Sequence, residues 1–309
     1  MYTFSAIDYR LYEIKGTFAH TFSKNRRMKK ILFLVLKIVA FALITTIVMT
    51  LVGLPFVAFV KGEWATWLID KATFSLGVTV ASLFLLKQWW RTLGLSMRGR
   101  GRDVASGMAV ALLIYLIGFL FSWALGAIEV LDVHFVATDV MLSWLLMLLV
   151  AYSEEVALRG FVLGQMLDAG INKFVALCLS SLLFSLLHLF NPEFSLLPMI
   201  NIFLAGVLLG ASYIYTRNLW FPISLHLFWN WTQGLLGFQV SGNNFGASLF
   251  TLRLPEENLI NGGAFGFEGS LLCTLLMLLF TILILRGASN QCASVPHQSS
   301  EPSPEHADE

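Results

Sequence analysis

VMLSWLLMLLVAYSEEVALRGFVLGQML, residues 140–167, is the stretch on which the fold turns. It is long and apolar enough to cross a bilayer, which takes about 20 residues. Yet Glu154, Glu155 and Arg159 sit at its centre. Charged side chains inside a membrane span are costly, face the protein interior and mark functional sites. The stretch therefore predicts a membrane helix packed against other helices, with a polar site at mid-depth.

The rest of the chain agrees. Of 309 residues 57% are hydrophobic and 13% charged, about half the charge of a soluble domain. Mean hydropathy is +0.75. Apolar runs fall at about 38–60, 72–90, 104–128, 140–167, 174–190, 194–215, 219–240 and 269–285. The expected fold is an all-α, polytopic transmembrane helical bundle of about eight spans. Residues 1–37 are expected to form a cytoplasmic N-terminal segment, 38–286 the bundle, and 287–309 a polar, disordered tail. The segment 241–268, with five glycines, reads as an irregular external cap.

Lys24, Arg26, Arg27, Lys29 and Lys30 precede the first run, and Lys87, Arg91, Arg98, Arg100 and Arg102 follow the second. Positive charge collects on the cytoplasmic side, so both clusters and both termini are expected there, with the bilayer being a bacterial inner (plasma) membrane. Lys173, Arg217 and Arg286 fall on predicted inner loops, whereas the loop after the third run carries Glu129, Asp132 and Asp139 and no cation. The net charge of +1 and the lack of a basic stripe argue against nucleic acid as a partner. Cys178, Cys273 and Cys292 show no C-x-x-C spacing, hence no disulfide or thiolate-metal signal.

Glu155 and Arg159 are four apart and can pair on one helical face. Glu154 is turned about 100° from Glu155 and stays available. Two more polar groups recur at helical spacing. His188 follows Phe184 by one turn, which places the ring and the imidazole together; Asn230 follows His226 by one turn. Helical rise puts Glu154, His188, His226 and Asn230 at comparable depths. A buried glutamate can take a proton from water, an imidazole can assist, and side-chain N–H groups can stabilise an oxyanion. The plainer reading of each residue is a hydrogen bond or ion pair that fixes helix packing.

Glu154-Glu155-x-x-x-Arg159, Phe184-x-x-x-His188 and His226-x-x-x-Asn230, in that order and each on an apolar run, resemble the three motifs of the CAAX-protease and bacteriocin-processing family, which includes the type II CAAX prenyl endopeptidases. The resemblance covers about 140–240. It implies a membrane-embedded glutamic endopeptidase without cofactor or metal, its site opening toward the cytosol. Glu154 and His188 would activate water, and His226 and Asn230 would form the oxyanion hole. Glu155, Arg159 and Phe184 would support them. The partner would be a peptide or membrane-protein substrate, with or without a lipid group, within the lipid bilayer.

Three other readings stand beside it. Glu154, His188 and His226 could ligate zinc as a His₂Glu set, although no H-E-x-x-H occurs. Ser153 or Ser185 could be a nucleophile, although both are more simply packing serines. A non-catalytic immunity, scaffold or transport protein could also carry intramembrane charges.

Overall fold

The structure is a computed structural model; it describes residues 4–293 except 58, 247 and 257. Eight main helices form the bundle: α1 Phe4–Val57, α2 Glu63–Leu85, α3 Gly101–Ala124, α4 Ala137–Glu155, α5 Lys173–Leu187, α6 Leu196–Ala211, α7 Trp220–Leu235 and α8 Leu271–Ala293. The protein is an integral membrane protein of the all-α, polytopic class.

Six stretches are long and apolar enough to cross a membrane: Met28–Phe56, Glu63–Leu85, Gly101–Ala124, Ala137–Asp168, Leu196–Thr216 and Leu271–Ser289. Six of the eight expected runs meet that length, and the other two are not confirmed by it. The runs at 174–190 and 219–240 hold helices of only 15 and 16 residues, roughly 22–24 Å at helical rise against a hydrocarbon core of about 30 Å. His188 caps the first of them. Gly237, at φ +89°, follows the second, where a Cβ would collide with the Phe250 carbonyl. These two short helices carry both imidazoles of the predicted site.

Lys37 of α1 lies toward one end of the Met28–Phe56 stretch, beside the last turn of the 137–168 helix. Its Nζ donates to Gln165 Oε1 at 2.9 Å. At the other end α8 continues to Ala293, and the rest of the expected tail, 294–309, lies outside the described residues.

Helix packing brings the site elements together. α7 lies along α3 and α4, α5 along α6, and α2 along α1 and α4. Small residues permit close approach. At Gly206 an added Cβ would press within 2.8 Å of Ser181 on α5. The core is continuous through Val78, Ile114, Leu146, Phe161, Ile202 and Leu225. Apolar side chains such as Leu51, Phe84 and Leu187 remain exposed on the outside of the bundle, as a lipid-facing surface requires.

The two ends of the bundle are distinct. At one end Asn218 Nδ2 donates to the Ser96 carbonyl at 3.1 Å, and Trp220 Nε1 to the Leu95 carbonyl at 3.1 Å. Arg217 and Asp168 form an ion pair there. At the other end β1 Glu129–Val133 pairs antiparallel with β2 Phe250–Arg253, a small sheet that the sequence reading did not foresee. Asn261 Nδ2 reaches the Ala127 carbonyl at 2.8 Å, Asn191 Nδ2 reaches the Ser241 carbonyl at 3.0 Å, and the Trp67 and Phe245 rings meet edge-on at 5.4 Å. The segment expected as an irregular cap is thus held by strand pairing and two 3₁₀ turns, Gly263–Phe265 and Phe267–Gly269.

Candidate active site

The helix of 140–167 does not run through its charged centre as a regular α-helix. After Glu155 it widens into a π-helix, Val156–Leu163, before closing again as Gly164–Asp168. Such widened turns are rare and occur mostly at functional sites. All eight π-helical residues are buried.

The expected ion pair is present. Arg159 Nη1 donates to Glu155 Oε1 at 2.9 Å, with 1% and 0% of the two side chains exposed. Arg159 Nη2 donates to the Gly206 carbonyl at 3.2 Å. The guanidinium carbon lies 4.3 Å over the Phe184 ring, a cation–π contact. Phe184 in turn packs at 4.7 Å from the His188 ring and edge-on at 6.1 Å from His226. Phe184 therefore spaces the two imidazoles and covers the cation.

His226 joins the pair. Its Nδ1 lies 2.8 Å from Glu155 Oε1, so the same carboxylate oxygen meets Arg159 and His226. A carboxylate can only accept, so Nδ1 carries the proton of this bond, and the ring is held with Nε2 on the far side. There Nε2 stands 3.9 Å from Glu154 Oε2, beyond hydrogen-bond range. Glu154 Oε2 has no hydrogen-bond partner among the described residues. The Glu154 side chain is 23% exposed, whereas Glu155 is fully buried.

His188 sits just past the end of α5, and its Nδ1 is 2.8 Å from the Phe184 carbonyl. With Nδ1 donating to that oxygen, Nε2 is left as the acceptor. Asn230 is buried one turn after His226. Glu154, His188, His226 and Asn230 all line one cavity of about 310 Å³. Glu155 and Arg159 lie behind its wall. The two serines weighed as nucleophiles are occupied: Ser153 Oγ donates to the Leu149 carbonyl at 2.7 Å, and Ser185 Oγ to the Met199 carbonyl at 2.8 Å. Among the described residues no three His, Cys, Asp or Glu side chains are grouped as metal ligands.

The sequence reading missed Glu268, a second carboxylate on the cavity wall. It is buried and accepts from Trp229 Nε1 at 2.8 Å, Gln233 Nε2 at 3.3 Å, and the Ser241 N–H and hydroxyl at 2.7 and 2.8 Å. These bonds tie the 241–268 segment to α7 beside Asn230. The signal in the sequence was slight: an acid inside a glycine-rich stretch, at the start of the last span. Its chemistry is that of a saturated anchor. Glu268→Gln replaces an acceptor-only group by one whose NH₂ faces donors. An unsatisfied buried group costs about 1–3 kcal/mol, so the variant should unfold at lower temperature in detergent; an unchanged melting curve would show that these bonds do not hold the segment.

Fold and site together describe a polytopic helical membrane protein with a cavity lined by two carboxylates, two imidazoles and several carboxamides. Residues 136–232 match the family model described as Type II CAAX prenyl endopeptidase Rce1-like. That stretch runs from the start of α4 into α7 and contains every site residue expected from the sequence, but not Glu268. The match supports a CAAX-type endopeptidase, a hydrolase, in this part of the chain. No curated protein and no solved structure matches the chain.

Proposed function

We propose that the protein is an intramembrane endopeptidase in which Glu154 activates the water that attacks a peptide bond. The observation that carries this reading is the Glu154 Oε2 atom: it is free of partners and 3.9 Å from His226 Nε2. It belongs to a cavity that His188 and Asn230 also line. The Glu154 side chain is 23% exposed although Oε2 itself is enclosed, so the attacking water meets this carboxylate from the cavity.

Glu154 takes the proton of this water as it adds to the carbonyl carbon, and returns it to the leaving amine. Proton transfer by a placed group supplies about 10²–10⁴-fold. His188 offers Nε2 as the second acceptor for the water. Asn230 offers an NH₂ to the developing oxyanion. His226 donates through Nε2 only when both ring nitrogens are protonated, since Nδ1–H is committed to Glu155. The Glu155 carboxylate beside it balances that positive ring, and Arg159 in turn holds Glu155 in place. Glu155, Arg159 and Phe184 are positioning residues in this scheme.

The test in cells compares membrane peptides from cells carrying the wild-type protein and Glu154→Ala. A polypeptide that accumulates uncut in the variant identifies the substrate; identical profiles count against hydrolysis and favour a scaffold. With a cleavable peptide in hand, Asn230→Ala should lose about 10²–10³-fold in kcat, the worth of one oxyanion donor, with KM little changed. A change in KM alone would make Asn230 a binding group. Zinc ligation by Glu154, His188 and His226 predicts instead that chelators abolish cleavage and that added zinc restores it.

A further inference from the structure

The cavity is not central between the two ends of the bundle. Beyond the helices it is lined by Asn191, Val240, Ser241, Asn243 and Phe245. All of these belong to the end that holds the small sheet. No residue of 86–100 or 210–220 lines it. On that opposite side, below the carboxylates, the bundle is filled by Leu93, Phe161, Leu163, Tyr213 and Leu219, each with no exposed surface. The Tyr213 hydroxyl lies 3.4 Å from the Gly160 carbonyl, and an added Cβ on Gly160 would meet Leu93 and Leu219 at 3.0 Å. A polypeptide has no path to Glu154 through this packed layer.

Charge distinguishes the same two ends. The filled end carries Lys29, Lys30, Lys87, Arg91, Arg98, Arg100, Arg102, Lys173, Arg217 and Arg286. The loops of the sheet end carry only Lys61 and Arg253. These connections are short, the range in which positive charge fixes orientation. The filled end is therefore cytoplasmic and the cavity end extracytoplasmic. The resemblance alone implied the reverse direction of opening.

We infer that the cavity receives its substrate from the extracytoplasmic side, as an extended segment of an exported or membrane-tethered polypeptide, and not as the C-terminus of a cytosolic protein. This rests on the protease reading for its chemistry, whereas the direction of access rests on packing and charge alone. Among the described residues Lys71 of α2 is the only Lys or Arg on the cavity wall, and its Nζ is 2.9 Å from Asp70. An acidic group or a chain terminus entering from the sheet end meets this ammonium before it meets Glu154, because Lys71 lies in the α2 half nearer that end.

The test uses cysteines at the two ends, in a full-length chain whose native cysteines are replaced by alanine. Asn243→Cys is on the cavity wall, and Met97→Cys is in the exposed 94–100 turn. A membrane-impermeant sulfonated maleimide should label Asn243→Cys in right-side-out vesicles and Met97→Cys only in inverted ones. Labelling of Met97→Cys from outside, or failure to label Asn243→Cys from outside, overturns the assignment. The readout does not need turnover: if Glu154→Ala leaves the peptide profile unchanged while the labelling pattern holds, the protease reading fails and the direction of access stands.

Discussion

Glu154→Gln should abolish cleavage while leaving the bundle folded. Glutamine keeps the shape of the side chain but cannot accept a proton from water at neutral pH. The loss expected in kcat/KM is about 10²–10⁴-fold, the contribution of a placed general base. Folding should be unaffected because Oε2 makes no hydrogen bond that the amide would lose. Removing a charge from a side chain only 23% exposed relieves a desolvation cost. The melting temperature should stay level or rise slightly. Glu154→Asp withdraws the carboxylate by roughly one methylene, and an ångström of misplacement can cost about 10²-fold. Purified variants with a peptide substrate and a thermal melt decide the matter. Wild-type turnover in Glu154→Gln would leave the carboxylate no part in the reaction, and the remaining polar groups would read as packing contacts.

Arg159→Ala should be the most destabilising single change at the site. It strips the cation from a fully buried carboxylate, and breaking a buried pair from one side costs about 3–5 kcal/mol. It also removes the donor to the Gly206 carbonyl and the cation above Phe184. The expected result is poor recovery of folded protein and a lower melting temperature. Replacing both partners separates stability from chemistry. Glu155→Leu with Arg159→Leu leaves no buried charge, and apolar replacements of buried pairs are often neutral or better. That double variant should recover much of the stability but not the activity, because His226 Nδ1 loses the acceptor 2.8 Å away that orients the ring. Recovery of both would show that the triad of Glu155, Arg159 and His226 only fills space.

The order of these effects follows from which side of the cavity wall each group occupies. Glu154 faces the cavity and has little to hold in place. Glu155 faces the helix interior and holds Arg159 and His226. Two adjacent glutamates of one helix thus separate into an acceptor that faces the cavity and an anchor that holds Arg159 and His226 through Oε1, as a turn of about 100° between neighbours requires.

Much of this was legible in the sequence. Apolar runs with basic ends specify a polytopic bundle, since a lipid-exposed backbone must satisfy its own hydrogen bonds and the helix does so locally. The spacing of four between Glu155 and Arg159, Phe184 and His188, and His226 and Asn230 is also local information, because i and i+4 share a face in any helix. Sequence by itself therefore determined the class, the pairs and their approximate depth. It did not determine that α5 and α7 are held to 15 and 16 residues, nor that Lys37 turns toward Gln165. Hydropathy averages a window and is blind to a partner more than a hundred residues away. The contact between His226 and Glu155 joins residues 71 apart, and the bonds to Glu268 bring a loop back onto α7. The side of the membrane toward which the cavity points likewise depends on which helix ends are packed solid and which stay open. Only the tertiary arrangement decides such matters, because they depend on how helix faces pack against one another, and the periodicity of a single helix carries no record of its neighbours.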